Sequence, residues 1–120
     1  MPEVDTPTLP PEYYRWLETA RRFPMLNVWR EGVLCSVKLS YLLEPQKGER
    51  DLFAHLERVR RFFPEGYLPL AYDVFGNLLL WDMREGAVYL HWQGAPPTRR
   101  IKVAPSLEDL CEKLYYRPIH

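Results

Sequence analysis

At 120 residues and 47% hydrophobic, the chain fits one domain. It is long enough to bury a core without disulfide or metal staples, which are needed below roughly 70–80 residues. Its 16 Lys and Arg are balanced by 16 Asp and Glu, so it lacks the basic surface with which a general nucleic-acid binder displaces counterions. No stretch approaches the roughly 18 apolar residues of a membrane span, and the opening MPEVDTPTLP has neither the basic start nor the apolar run of a signal peptide. The expectation is therefore a cytoplasmic protein, with no nucleic acid and no membrane among its partners.

Residues 1–8 read as a loose tail, and residues 9–117 as a single domain. Pro10 and Pro11 mark a helix start, where a missing N–H costs nothing. In PEYYRWLETARRF, Tyr13, Trp16, Leu17 and Ala20 recur at helical spacing, and Glu18 can pair with Arg22 one turn on. Pro24 ends this helix. MLNVW is a candidate short strand, joined through a turn at Arg30-Glu31-Gly32 to VLCSVKLSYLL. There Val33, Cys35, Val37, Leu39 and Tyr41 alternate with Ser36, Lys38 and Ser40, the period-two pattern of a strand with one wet face. EPQKGE is a loop.

RDLFAHLERVRRFF predicts a second helix, with Leu52, Leu56, Val59 and Phe63 as its apolar stripe and Phe53 and Phe62 widening it. Pro64-Glu65-Gly66 stops it. YLPLAYD, NLLLWD and AVYLHW follow with short glycine-containing connectors, as in an antiparallel meander. Leu78-Leu79-Leu80-Trp81 does not alternate, so that strand is covered on both faces or central in the sheet. QGAPPTRR is a loop and IKV a short further strand. In SLEDLCEKLYY, Ser106 is an N-cap, and Leu107, Leu110, Cys111 and Leu114 form a last helical stripe. The fold class is α+β: a single domain with a twisted antiparallel β-sheet and helices packed against it, in the order α-β-α-β-β-β-(β)-α.

Chemistry-bearing motifs are sparse. The six glycines are isolated, and HExxH, CxxC and EF-hand patterns are lacking, so no cofactor and no metal are expected. Cys35 and Cys111 fall on apolar stripes and read as reduced, buried thiols. The pairing of either with His55 or His91 remains formally open as a nucleophilic couple. The basic runs Arg21-Arg22 and Arg58-Val59-Arg60-Arg61 are interleaved with acids and read as solvated helix faces. An excess of Arg over Lys and 12 prolines hint at a thermophilic source.

Asp73 and Asp82 flank the turn VFGN. As a catalytic pair they would form a small hydrolase site with His91. Paired strands put them two or more rungs apart, about 7–14 Å, against about 5–9.5 Å for a glycosidase dyad. An Asp beside a Gly-Asn turn more often accepts backbone N–H bonds. The turn role is therefore expected, and no catalytic residue.

The ordered pieces LPPEYYRWLETA, PEGYLPLAYDVFGNLLLWD, GAVYLHW and KVAPSLEDLCEKL resemble the SUKH superfamily, which groups yeast cell-wall-synthesis regulators with bacterial immunity proteins of toxin systems. The family's hairpin signature falls on Pro69, Leu70, Ala71, Asp73, Gly76, Leu80 and Asp82. Its Gly-x-Val-Tyr step falls on Gly86, Val88 and Tyr89, and its closing motif on Ala104, Ser106, Leu107 and Glu108. The resemblance implies a non-enzymatic protein-binding domain whose partner is another protein, either a cognate toxin that it neutralises or the target of a regulatory adaptor. Interfaces favour exposed Trp and Arg, so the expected partner-binding residues are Trp29, Arg30, Trp92, Arg99 and Arg100.

Overall fold

The computed structural model describes residues 9–44, 52–61, 63, 66–96 and 98–115. Helix α1 spans Pro11–Arg22, with Pro10 extended at its N-cap and Pro11 in the first turn. Its buried residues are the four that the spacing selects, Tyr13, Trp16, Leu17 and Ala20. The Tyr13 hydroxyl donates to the Leu43 carbonyl at 2.6 Å, tying the helix to the far end of the first hairpin. Glu18 and Arg22 pair at 3.6 Å on the wet side. The expected tail at residues 1–8 lies outside the described residues, as does most of EPQKGE.

Strands β1 (Met25–Arg30) and β2 (Val33–Leu42) form that hairpin. Glu31 and Gly32 alone make its turn, at φ 52° and 81°. Positive φ at both central residues gives the turn a twist that matches the strands. Val37 and Leu39 are buried while Ser36, Lys38 and Ser40 are exposed, as the alternation requires. The pattern lapses at the tip, where Val33 is 60% exposed although it lies on the inward face. Among the described residues, no element covers the end of the hairpin.

Helix α2 (Leu52–Arg60) is followed by β3 (Tyr67–Asp73), β4 (Leu78–Asp82), β5 (Val88–His91) and β6 (Arg100–Ala104). Each strand pairs antiparallel with the next. Helix α3 (Leu107–Lys113) is capped by the Ser106 hydroxyl, which accepts the Asp109 N–H at 3.0 Å. The last helix is shorter than SLEDLCEKLYY suggests. Leu114 turns extended, at φ −73° and ψ 144°, and Leu114–Tyr115 become β7, paired with Leu26 and Met25. Extension keeps Leu114 buried and satisfies part of the open edge of β1. The cysteines also differ from expectation: both are free, but half-buried rather than buried. Cys35 sits toward the exposed hairpin tip, and Cys111 lies on the flank of the α3 stripe.

The sheet order is β6-β5-β4-β3-β2-β1-β7. One face carries the main core, where α1 and α3 meet Leu79, Trp81, Val88 and Leu90. The other face gathers Tyr67, Leu78 and Leu80 beneath Val59 and Phe63 of the α2 segment. All five residues of β4 are buried, as its unbroken apolar run demands. The α2 stripe is divided: Leu52 and Leu56 join the main core, whereas Val59 and Phe63 make the smaller cluster. The side chains of Phe53 and Phe62 lie outside the described residues. The sheet curls, so that β1 and β6, with four strands between them in the order, approach each other. Among the described residues, no helix is long and apolar enough to cross a membrane.

Candidate functional site

Asp73 and Asp82 are both buried, at 3% and 5% exposure. One oxygen of Asp73 accepts the N–H groups of Phe75 and Asn77, each at 2.9 Å, and the other accepts the Asn77 side-chain amide at 3.1 Å. Asp82 accepts the N–H groups of Arg84 and Glu85 at 3.0 and 3.3 Å. Asp82 stands opposite Tyr67, and Asp73 lies six residues further along β3. That separation is about 20 Å at roughly 3.4 Å per residue, too far for two carboxylates to share one bond or one proton. His91 is likewise engaged. Its Nε2 faces the carbonyls of Ala95 and Pro96, both at 3.0 Å. Carbonyls only accept, so this nitrogen carries the hydrogen. Each of the three hydrolase candidates thus holds a turn or loop.

The Cys–His couple is not assembled among the described residues. His91 packs edge-on against Phe63 and His55 against Tyr72, with ring centroids 5.0 and 5.6 Å apart, on the α2 side of the sheet. Cys111 packs against the main core on the opposite face. Burial pushes its thiol pKa up, opposed by a hydrogen bond with Thr19 and the charge of Arg15. A raised pKa leaves less of the reactive thiolate. Cys35 also packs on the main core, with its Sγ 3.8 Å from the Val33 carbonyl.

The expected binding residues flank two loops, the β1–β2 turn and the β5–β6 connection. Trp29 is 68% exposed and pairs across the ladder with Leu34, itself 50% exposed on the same face. Trp29 is therefore not part of the core. Arg30 pairs with Val33 through the backbone, and its side chain lies outside the described residues. At the other loop Trp92 is half-buried, with its N–H directed to the Arg99 carbonyl at 3.4 Å. Arg99 is exposed. Arg100 sets its guanidinium 4.6 Å from the Tyr89 ring centroid and 5.3 Å from that of Tyr67, a cation–π placement on the α2 side.

The curl of the sheet brings the two loops together. Glu31, next in sequence to Arg30, lines a hollow of about 220 Å³ with Trp92, Arg99, Arg100 and Ile101. Three features of this end were missed from sequence: Glu31 as a lining residue, and the exposure of Val33 and Leu34. Leu34 had a signal, being an apolar residue in phase with the wet positions Ser36 and Lys38. Glu31 had none, because its neighbours come from β6.

No curated protein and no solved structure matches the chain significantly. The family model of the SMI1 / KNR4 family (SUKH-1) matches residues 7–113, from before α1 to the end of α3, and the chain belongs to that family.

Proposed function

We propose that this SUKH-family chain is a non-enzymatic, intracellular protein-binding domain that acts by direct contact with one partner, and that the partner is a cognate toxin. The observation that carries this reading is the exposed hairpin tip. Trp29 and Leu34, paired across the ladder on one face, expose 68% and 50% of their surface, and Val33 on the other face of the tip exposes 60%. Isolated exposed apolar residues are ordinary, whereas a contiguous cluster around a Trp marks an interaction surface. Beside it, the Trp92–Arg99 hollow supplies a concave neighbour with a cation at its rim. Aromatic and arginine anchors around a pocket are the usual composition of an interface hot spot. The even balance of 16 basic and 16 acidic residues does not select a strongly basic nuclease as the target.

The test is affinity for the toxin encoded beside the gene, measured by calorimetry with the wild-type chain, Trp29→Ala and Arg99→Ala. Trp29→Ala should weaken binding by about 30-fold or more, in line with about 2 kcal/mol for a hot-spot aromatic, at an unchanged melting temperature. Unchanged affinity removes the hairpin tip from the interface. A gene standing without a toxin neighbour favours the regulatory-adaptor role instead, which the same surface would serve.

A further inference from the structure

On the α2 side of the sheet lies a second and larger hollow, which shares no lining residue with the one at the hairpin tip. It is a groove of about 390 Å³ between the α2 segment, the β3–β4 turn and the β5–β6 loop. That volume lies in the range of small-molecule pockets, about 300–1,000 Å³. Val59, Phe63 and Leu78 give it apolar walls, and the rings of Tyr72 and His91 face the same space. Phe63 and His91 meet edge-on, at an interplanar angle of 89°.

The groove is built rather than incidental. The buried Asp73 carboxylate holds the β3–β4 turn by three hydrogen bonds. Asn77 Oδ1 of that turn accepts the Gln93 N–H at 2.9 Å, joining it to the β5–β6 loop. His91 fixes the same loop by donating to the Ala95 and Pro96 carbonyls. Gly76, at φ 83°, lets Gln93 close over the turn, since a Cβ there would stand 2.8 Å from the Gln93 side-chain oxygen. A wall held by so many bonds is in place before any ligand arrives, which lowers the cost of binding.

Among the described residues, Arg58 is the single charged one on the lining. Among the described residues no carboxylate pairs with it. Its charge is felt at the Tyr72 hydroxyl, where it opposes the upward push of burial. One planar fork suits one carboxylate, bound side-on. A phosphate of nearly two charges would call for more cations than the described lining holds. Three aromatic rings on the walls suit a flat apolar body, packed edge-on or offset.

We propose that this groove binds a small aromatic carboxylate, its ring between Phe63, Leu78 and His91 and its carboxylate on the Arg58 guanidinium. The site shares the β5–β6 loop with the partner surface but none of its lining residues, so the proposal does not rest on the toxin-binding reading.

The probe is 4-fluorophenylacetate, followed by fluorine NMR against the full chain, with 4-fluorobenzyl alcohol and 4-fluorobenzylamine as neutral and cationic comparators. The acid should bind saturably, be displaced by unlabelled phenylacetate, and bind about tenfold tighter than the alcohol, with the amine weakest. Arg58→Gln, at an exposed position, should bring the acid down to the affinity of the alcohol, and Arg58→Lys should recover part of the loss. Ala95→Leu, which narrows the groove without touching the loop's backbone bonds, should weaken acid and alcohol alike. The proposal is overturned if acid and alcohol bind equally, if Arg58→Gln leaves the acid unaffected at an unchanged melting temperature, or if no saturable binding is seen at millimolar probe.

Discussion

Replacing Asp73 by alanine tests whether the signature aspartate of the β3–β4 hairpin is structural. The carboxylate is 3% exposed and accepts three hydrogen bonds, two from backbone N–H groups at 2.9 Å and one from the Asn77 amide at 3.1 Å. A hydrogen bond to a charged group contributes about 1.5–3 kcal/mol, but the contributions are not additive. Water can reach the Phe75 N–H once the carboxylate is gone, since Phe75 is 75% exposed. Asp73→Ala should therefore cost about 3 kcal/mol, a large share of a total near 5–15 kcal/mol, and lower the melting temperature by roughly 10 °C. Asp82→Ala should cost less, about 2 kcal/mol, because its two backbone bonds are longer, at 3.0 and 3.3 Å, and its Arg84 contact is 3.6 Å. Sites so far apart should also add, so the double variant should lose the sum of the two within about 0.5 kcal/mol. Urea unfolding followed by circular dichroism measures all three, with the slope unchanged. The reasoning is refuted if Asp73→Ala costs under about 1 kcal/mol, or if the two losses couple strongly.

Tyr89 should titrate late. Its hydroxyl donates to Glu85, and this bond first, then burial, pushes its pKa up to about 12. The unfolded value is about 10, so the folded chain holds the proton longer. The stability it contributes is complete below pH about 10 and is lost as the pH rises toward 12. Absorbance at about 295 nm should lose one late-titrating tyrosine in Tyr89→Phe, while Glu85→Gln should move that step back toward 10; no change in either variant contradicts the bond's role. Gly66→Ala should cost about 1–2 kcal/mol, because Gly66 sits at φ 98° and a Cβ would meet the Arg84 side chain at 2.8 Å. Arg84 is flexible enough to move, so Arg84→Ala in the same chain should recover only the contact and leave the backbone strain, as thermal melts of the single and double variants will show.

The local elements were readable because each is written in a local period. Tyr13, Trp16, Leu17 and Ala20 fall on one helical stripe, and that stripe is buried. Leu78 to Trp81 break the alternation, and β4 is covered on both faces. Ser106 caps α3 as its residue type suggests. The turn role of Asp73 and Asp82 was legible for the same reason: an Asx turn uses only residues within four positions of its aspartate. The end of the last helix was misread because Leu114 satisfies helical spacing equally well, and only the open edge of β1 makes extension the better choice. Half-exposure of Cys35 and the 60% exposure of Val33 were hidden likewise, since period two says which face a residue occupies and not whether another element covers that face.

What the sequence by itself determined is therefore the α+β class, the hairpin connections and the family, all of which rest on short-range pattern and order. What only the tertiary structure decided is where those patterns meet. The curl of the sheet carries the β1–β2 tip to β6, setting Glu31 among Trp92, Arg99 and Arg100. It also leaves Trp29 and Leu34 beyond the reach of the core. Beneath the α2 segment, the β3–β4 turn and the β5–β6 loop close a groove around Arg58 that no single segment announces. The physical reason is the same in each case. Twist accumulates from strand to strand, so the approach of distant edges is a property of the whole sheet and is written in no one stretch of the chain.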